Sequence, residues 1–130
     1  MVNPKSAHRL WLNQALDDVL WTKANLKEQI WYGACFTAQQ AAEKGLKAYL
    51  IYHGKDIKKI HDLGVLLQEC MNIDSEFETF EEECATLTDY YMPSRYPDIS
   101  AFMHFSKENA HQACLYAEKI VKFVQHRLSV

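Results

Sequence analysis

The stretch from Gly33 to His53 limits the fold more than any other part of the sequence. Advancing about 100° per residue from Cys35, the residues Cys35, Ala38, Ala41, Ala42, Gly45, Leu46, Tyr49, Leu50 and Tyr52 sweep an apolar arc of more than half the circumference of a helix. A helix patterned this way has to be enclosed by others. Gln39 falls inside the arc, where its amide needs partners or loses about 1 to 3 kcal/mol. The remaining wedge holds Gln40, Glu43, Lys44 and Lys47, spaced i, i+3, i+4 and i+7, so four polar heads share one narrow strip.

The flanking sequence supplies the enclosing elements. Leu12, Ala15, Leu16, Val19, Leu26 and Ile30 recur at three- and four-residue steps and predict a first helix that opens at Asn3-Pro4 and runs to about Lys27. A basic connector, Lys55 to Lys59, leads to a short helix from about His61 to Met71, with Asp62 serving its first turn. Ser75 is expected to cap a fourth helix, with Phe77, Phe80, Cys84, Leu87 and Tyr91 on one side and Glu76, Glu78, Glu81, Glu82 and Glu83 mainly on the other, a solvated face. Pro93 and Pro97 bracket a loop over residues 92–98. A last helix, starting near Ser100 or Ser106 and reaching about Leu128, buries Ala110, Ala113, Cys114, Ala117, Ile120, Val121 and Val124. Period-two alternation is missing, so the chain reads as five helical segments without strands, an all-α protein. Its 130 residues make a single domain over 1–130, long enough to bury roughly two-thirds of its unfolded surface.

Charge and cysteine usage narrow the function classes. Residues 1–59 carry nine Lys/Arg against five Asp/Glu, residues 60–94 none against nine, and residues 95–130 five against three. A uniformly basic nucleic-acid binder is therefore not expected, whereas a local cationic patch beside an acidic wall is compatible with the pattern. Cys35, Cys70, Cys84 and Cys114 form no C-x-x-C pair and read as reduced core thiols. The longest uncharged stretch, Gln29 to Ala42, is too short and too polar to span a membrane, and Met1 to Lys5 carries no secretion signal, so a cytoplasmic protein without membrane association is expected.

Three groups of residues have the types and spacing for chemistry. Gln40, Glu43, Lys44 and Lys47 can face His61, Tyr90 and Arg95 in a bundle, placing two or three cations around a groove suited to phosphate, with Tyr96 as a stacking face for a base. The same spacing also fits a solvated face with an internal Glu43 to Lys47 pair. His104, Glu108 and His111 stand at i, i+4 and i+7, a ligand-like spacing without a fourth ligand or a second shell; an amphipathic helix with polar residues toward solvent accounts for them, and no metal is expected. Trp11, Trp21 and Trp31 fit either a bundle core or a partner surface. His8, His53 and His126 stand alone and are expected at exposed helix ends. No G-x-S-x-G and no Gly-rich phosphate loop is present, which removes those enzyme classes and their cofactors.

The block Phe36-Thr37-Ala38-Gln39-Gln40-Ala41-Ala42-Glu43-Lys44-Gly45-Leu46-Lys47-Ala48-Tyr49-Leu50, followed by His61-Asp62-Leu63 and then Arg95-Tyr96-Pro97-Asp98, resembles the HEPN domain family over about residues 8–128. The resemblance is to the branch with an Arg-Tyr-Pro-Asp loop. It implies an antiparallel bundle of four long helices plus one short helix, homodimers, and pairing with a minimal nucleotidyltransferase in prokaryotic toxin-antitoxin modules. Taken with the groove read from the residues, it makes Gln40, Glu43, Lys44, Lys47, His61, Tyr90, Arg95, Tyr96 and Asp98 the expected nucleotide-binding residues, with partner binding as the other use of such a module. Many members are metal-independent ribonucleases in which an Arg is followed after four to six residues by a His. Here eight residues separate Arg95 from His104 and Pro97 interrupts them, so binding is expected rather than catalysis. The alternative is a metal-independent endoribonuclease using Arg95 and His104 across a dimer cleft, with RNA phosphate as its target.

Overall fold

The helix that the sequence marks as central spans Trp31–Tyr52, here α2, and fourteen of its 22 residues are buried. The structure is a computed structural model and describes residues 4–57, 59–91 and 105–129. Around α2 lie α1 (Pro4–Lys27), α3 (Leu63–Ile73), a 3₁₀ helix (Ser75–Phe80), α4 (Glu81–Thr88) and α5 (Lys107–Leu128). No strand occurs among the described residues. None of their helices is long and apolar enough to cross a membrane.

Helix direction follows from which residues meet. Trp11 meets Lys47, Asp18 meets Lys44 and Thr22 meets Thr37, so one number rises as the other falls and α1 runs antiparallel to α2. Residues 28–30 make the turn between them, with Gln29 in the left-handed region at φ 61°. Trp31 lies against His111 and Gly45 against Val121, so α5 runs parallel to α2. The expected burial of Ala110, Ala113, Cys114, Ala117, Ile120, Val121 and Val124 on α5 holds at every position. Ser106 caps this helix in a reciprocal capping box with Asn109.

Two expectations need correction. Asp74, not Ser75, caps the fourth segment, accepting from the Glu76 backbone N–H, and the segment opens as a 3₁₀ helix before α4 begins. With three residues per turn, Phe77 and Phe80 fall on the same side and both enter the core, where they meet Phe123 at 4.9 and 5.0 Å. The shift to α-helix at Glu81 then keeps Cys84 and Leu87 on that face. His8 is not exposed: its ring is buried edge-on against Tyr52 at 4.9 Å, because the first turns of α1 lie along the end of α2. The tryptophans divide between the two readings, with Trp11 and Trp31 packed against the core and Trp21 57% exposed.

Close approach of α2 and α5 depends on Gly45. A Cβ there would stand 3.3 Å from a Val121 methyl and 3.7 Å from the Val121 Cα, leaving no space for a larger side chain. Gly45→Leu is expected to lower stability by about 1 to 3 kcal/mol through overpacking, read as a lower urea midpoint. An unchanged midpoint would mean that the two helices can separate at no cost.

Candidate functional site

A charged group on an enclosed helix has to find its partners inside the protein, and the polar strip of α2 does so. Glu43 is 4% exposed and Lys47 1%. One turn apart, they form an ion pair of 2.9 Å between Lys47 Nζ and Glu43 Oε2. His61 Nδ1 stands 2.9 Å from that same oxygen. The other oxygen, Oε1, accepts from Gln39 Nε2 at 3.2 Å, and Gln39 Oε1 accepts in turn from Gln40 Nε2 at 2.6 Å. The buried amide that the sequence left needing partners is thereby satisfied at both ends. The Lys47 ammonium also lies 5.4 Å from the centre of the Trp11 ring, a favourable contact for a desolvated cation.

His61 reaches this carboxylate because the connector after α2 folds back. Gly54, at φ 80°, takes the left-handed conformation just past the α2 C-terminus. Ile57 is buried, and Asp62 caps α3 by accepting from the backbone N–H groups of Gly64 and Val65. The imidazole stacks on Tyr91 with centroids 5.3 Å apart and planes 15° from parallel, while 49% of its side chain faces solvent. The result is a dry carboxylate and ammonium beneath a half-open imidazole.

The strip does not act as one unit. Lys44 turns to α1, where its ammonium is 2.8 Å from the buried Asp18, whose other oxygen accepts from Gln14. Leu10, Trp11, Gln14 and Lys44 border a pocket of ≈ 240 Å³, with Trp11 standing between it and Lys47. Tyr90 is 5% exposed and hydrogen-bonded to Cys35 rather than turned to a groove. Burial pushes the Tyr90 phenol up to about 12, with Cys35 adding to the rise. Burial likewise pushes the Cys35 and Cys84 thiols up to about 12 and raises Cys70 and Cys114, so none of the four cysteines offers a thiolate nucleophile. All four are free and buried. Arg95, Tyr96, Asp98 and His104 lie outside the described residues. Among the described residues no group of three His, Cys, Asp or Glu could hold a metal ion, and His111 packs against Trp31 instead.

Sequence reasoning brought Gln40, Glu43, Lys47 and His61 to one place and missed three members of the surroundings. Asp18 carried a usable signal, a charged residue at helical spacing from Ala15 and Thr22 on the face turned to α2. Trp11 and Tyr91 carried none, because aromatic residues at helical spacing read as core.

A family model described as HEPN domain matches residues 8–127. The crystal structure of TT1696 from Thermus thermophilus superposes with a TM-score of 0.80 at 31% identity, over 93% of this chain and 98% of that one. ST0689, an archaeal HEPN homologue, superposes with a TM-score of 0.74 at 24% identity, over 94% of this chain and 98% of its own, a likeness of fold. No curated protein sequence matches the chain.

A buried pair left with one partner costs far more than the pair contributes. Lys47→Met is expected to lose about 3 to 5 kcal/mol in urea unfolding, and the double change Glu43→Met with Lys47→Met to recover much of that loss. A single variant as stable as the parent would show that water reaches the pair.

Proposed function

This chain belongs to the HEPN domain family, and from that premise we propose that it is a nucleotide-binding or partner-binding module that works with a separately encoded minimal nucleotidyltransferase in a prokaryotic toxin-antitoxin type system. The observation that carries this reading is Glu43 Oε2, a buried acceptor shared by Lys47 and His61 at 2.9 Å each. Buried ion pairs are poor sources of stability compared with apolar side chains of similar volume, so a cluster of this kind argues for a role at its open edge. That edge is the His61 imidazole.

In this reading the ligand group met at the edge is a phosphate. Arg95, four residues after the ring that stacks on His61, supplies a guanidinium, with Tyr96 as a stacking face and Asp98 as a hydrogen-bond acceptor. Gln40 and Lys44 border the cluster, and Lys47 acts through Glu43 because it is too deeply buried to reach a ligand. The exposed Leu10, Leu20 and Trp21 of α1 and Leu115 of α5 suit a homodimer surface. The expected species in light scattering is twice the 15.1 kDa chain mass at micromolar concentration; a monomer throughout would remove the homodimer from the reading.

Titration of ATP, GTP and their monophosphates by calorimetry tests the phosphate site. Arg95→Ala is expected to weaken binding by about 1.5 to 3 kcal/mol, or roughly 10- to 150-fold. No heat at millimolar nucleotide, or an affinity unmoved by the substitution, defeats the proposal. Single-stranded RNA incubated with the protein in EDTA is expected to stay intact. Cleavage by the parent, lost in the Arg95→Ala and His104→Ala double variant, would replace the binding module with the ribonuclease.

A further inference from the structure

The hydrogen bond from His61 to Glu43 restricts what the exposed edge of the imidazole can offer. Glu43 is committed to the Lys47 ammonium at 2.9 Å and to Gln39, so it is an acceptor toward His61 and Nδ1 carries the hydrogen between them. A neutral imidazole has one N–H. With that hydrogen on Nδ1, the Nε2 edge presents a lone pair, and no described residue hydrogen-bonds it. A phosphate oxygen brought to such an edge meets lone pair against lone pair. The other tautomer supplies an N–H at Nε2 but turns the Nδ1 lone pair on the Glu43 oxygen 2.9 Å away. Only the doubly protonated ring donates to both.

The surrounding charges agree with this. Among the described residues the titratable groups around His61 are Glu43 and Lys47 on α2, the Tyr91 phenol stacked on the ring, and its chain neighbours Lys59 and Asp62, the second committed to the α3 cap. Glu43 and Lys47 cancel, and Lys44 is cancelled by Asp18. Among the described residues the cluster with His61 neutral holds no net charge to attract an anion. With His61 protonated it holds one positive charge, at the solvent edge.

We infer that a nucleotide phosphate binds this site together with a proton: Nδ1–H remains on Glu43 while Nε2 takes a proton from the buffer and donates it as a hydrogen bond to a phosphate oxygen. This rests on the phosphate reading above and adds to it a proton stoichiometry and a named donor atom. Glu43 is then a positioning residue that fixes which nitrogen faces the ligand, and Lys47 is what keeps Glu43 an acceptor.

Calorimetry with ATP at about pH 8 in buffers of different ionisation heat, such as Tris and Hepes, counts the protons. At that pH the terminal phosphate has lost its last proton, so uptake reports the protein. Close to one proton per nucleotide is expected for the parent and none for His61→Asn, with binding at least tenfold weaker in the variant. Nitrogen NMR of the parent gives a second readout independent of any substitution: both His61 ring nitrogens are expected to carry hydrogen in the ATP-saturated protein and only Nδ1 in the free protein. Binding without proton uptake, uptake that survives in His61→Asn, or a bound ring with a single N–H overturns the inference and leaves the phosphate reading standing. No binding of ATP by the parent overturns both.

Discussion

A carboxylate on a helix with no solvent face must have acceptor capacity satisfied on both oxygens and its charge balanced at contact distance, or the helix does not stay buried. Glu43 meets that requirement with Lys47 and His61 on one oxygen and Gln39 on the other. Much of the architecture is arranged to supply those partners. Lys47 comes from the next turn of α2, and Trp11 of α1 lies over its ammonium. His61 comes from a connector that reverses at Gly54, is anchored by buried Ile57, and ends at the Asp62 cap of α3. Tyr91, beyond α4, closes on the imidazole. The cluster therefore ties α1, α2, the connector before α3 and the segment after α4 together at one place.

The same enclosure separates two kinds of lysine on adjacent turns. Lys47 points into the bundle and its charge is spent on Glu43, while Lys44, three residues earlier, leans over the α1 surface and is spent on Asp18. Neither is a free cation, so the described part of the cluster does not attract anions by simple excess of positive charge. What it offers is an oriented imidazole above a buried ion pair. The acidic run between the 3₁₀ helix and α4 stays outside this arrangement: Glu76, Glu78, Glu81 and Glu82 are exposed, and Arg127 of α5 bonds Asp74 and Glu76 while stacking on Phe123 at 4.4 Å. That contact joins α5 to the start of the 3₁₀ helix.

Helical periodicity carries information about one face at a time, and the fold was legible in the sequence because each face has one job. The arc on α2, the α5 core residues and the start of α1 at Pro4 follow from local pattern, and the structure places them accordingly, except that Tyr52 at the end of the arc is exposed. The 3₁₀ opening at Ser75–Phe80 did not follow, because Phe77 and Phe80 satisfy both a three-residue and a 3.6-residue repeat; only the position of Phe123 on α5 decides between them. His8 was misjudged for a related reason: an isolated histidine near a terminus has no periodic signal, and its burial is a fact about where Tyr52 ends up.

For the site, the sequence by itself determined that Gln40, Glu43, Lys44 and Lys47 share a strip, since spacing along a helix fixes angular position, whereas the short helix expected from about His61 begins at Leu63 and leaves His61 in the connector ahead of its Asp62 cap. Only the tertiary structure decided that Glu43 and Lys47 of the strip are buried instead of solvated, that its two lysines part company, and that His61 Nδ1 lands on the oxygen already held by Lys47. The physical reason is that an i, i+4 pair has the same sequence whether it faces water or protein. Its surroundings, and hence the tautomer and donor capacity of the imidazole above it, come from residues up to dozens of positions away that packing alone brings together.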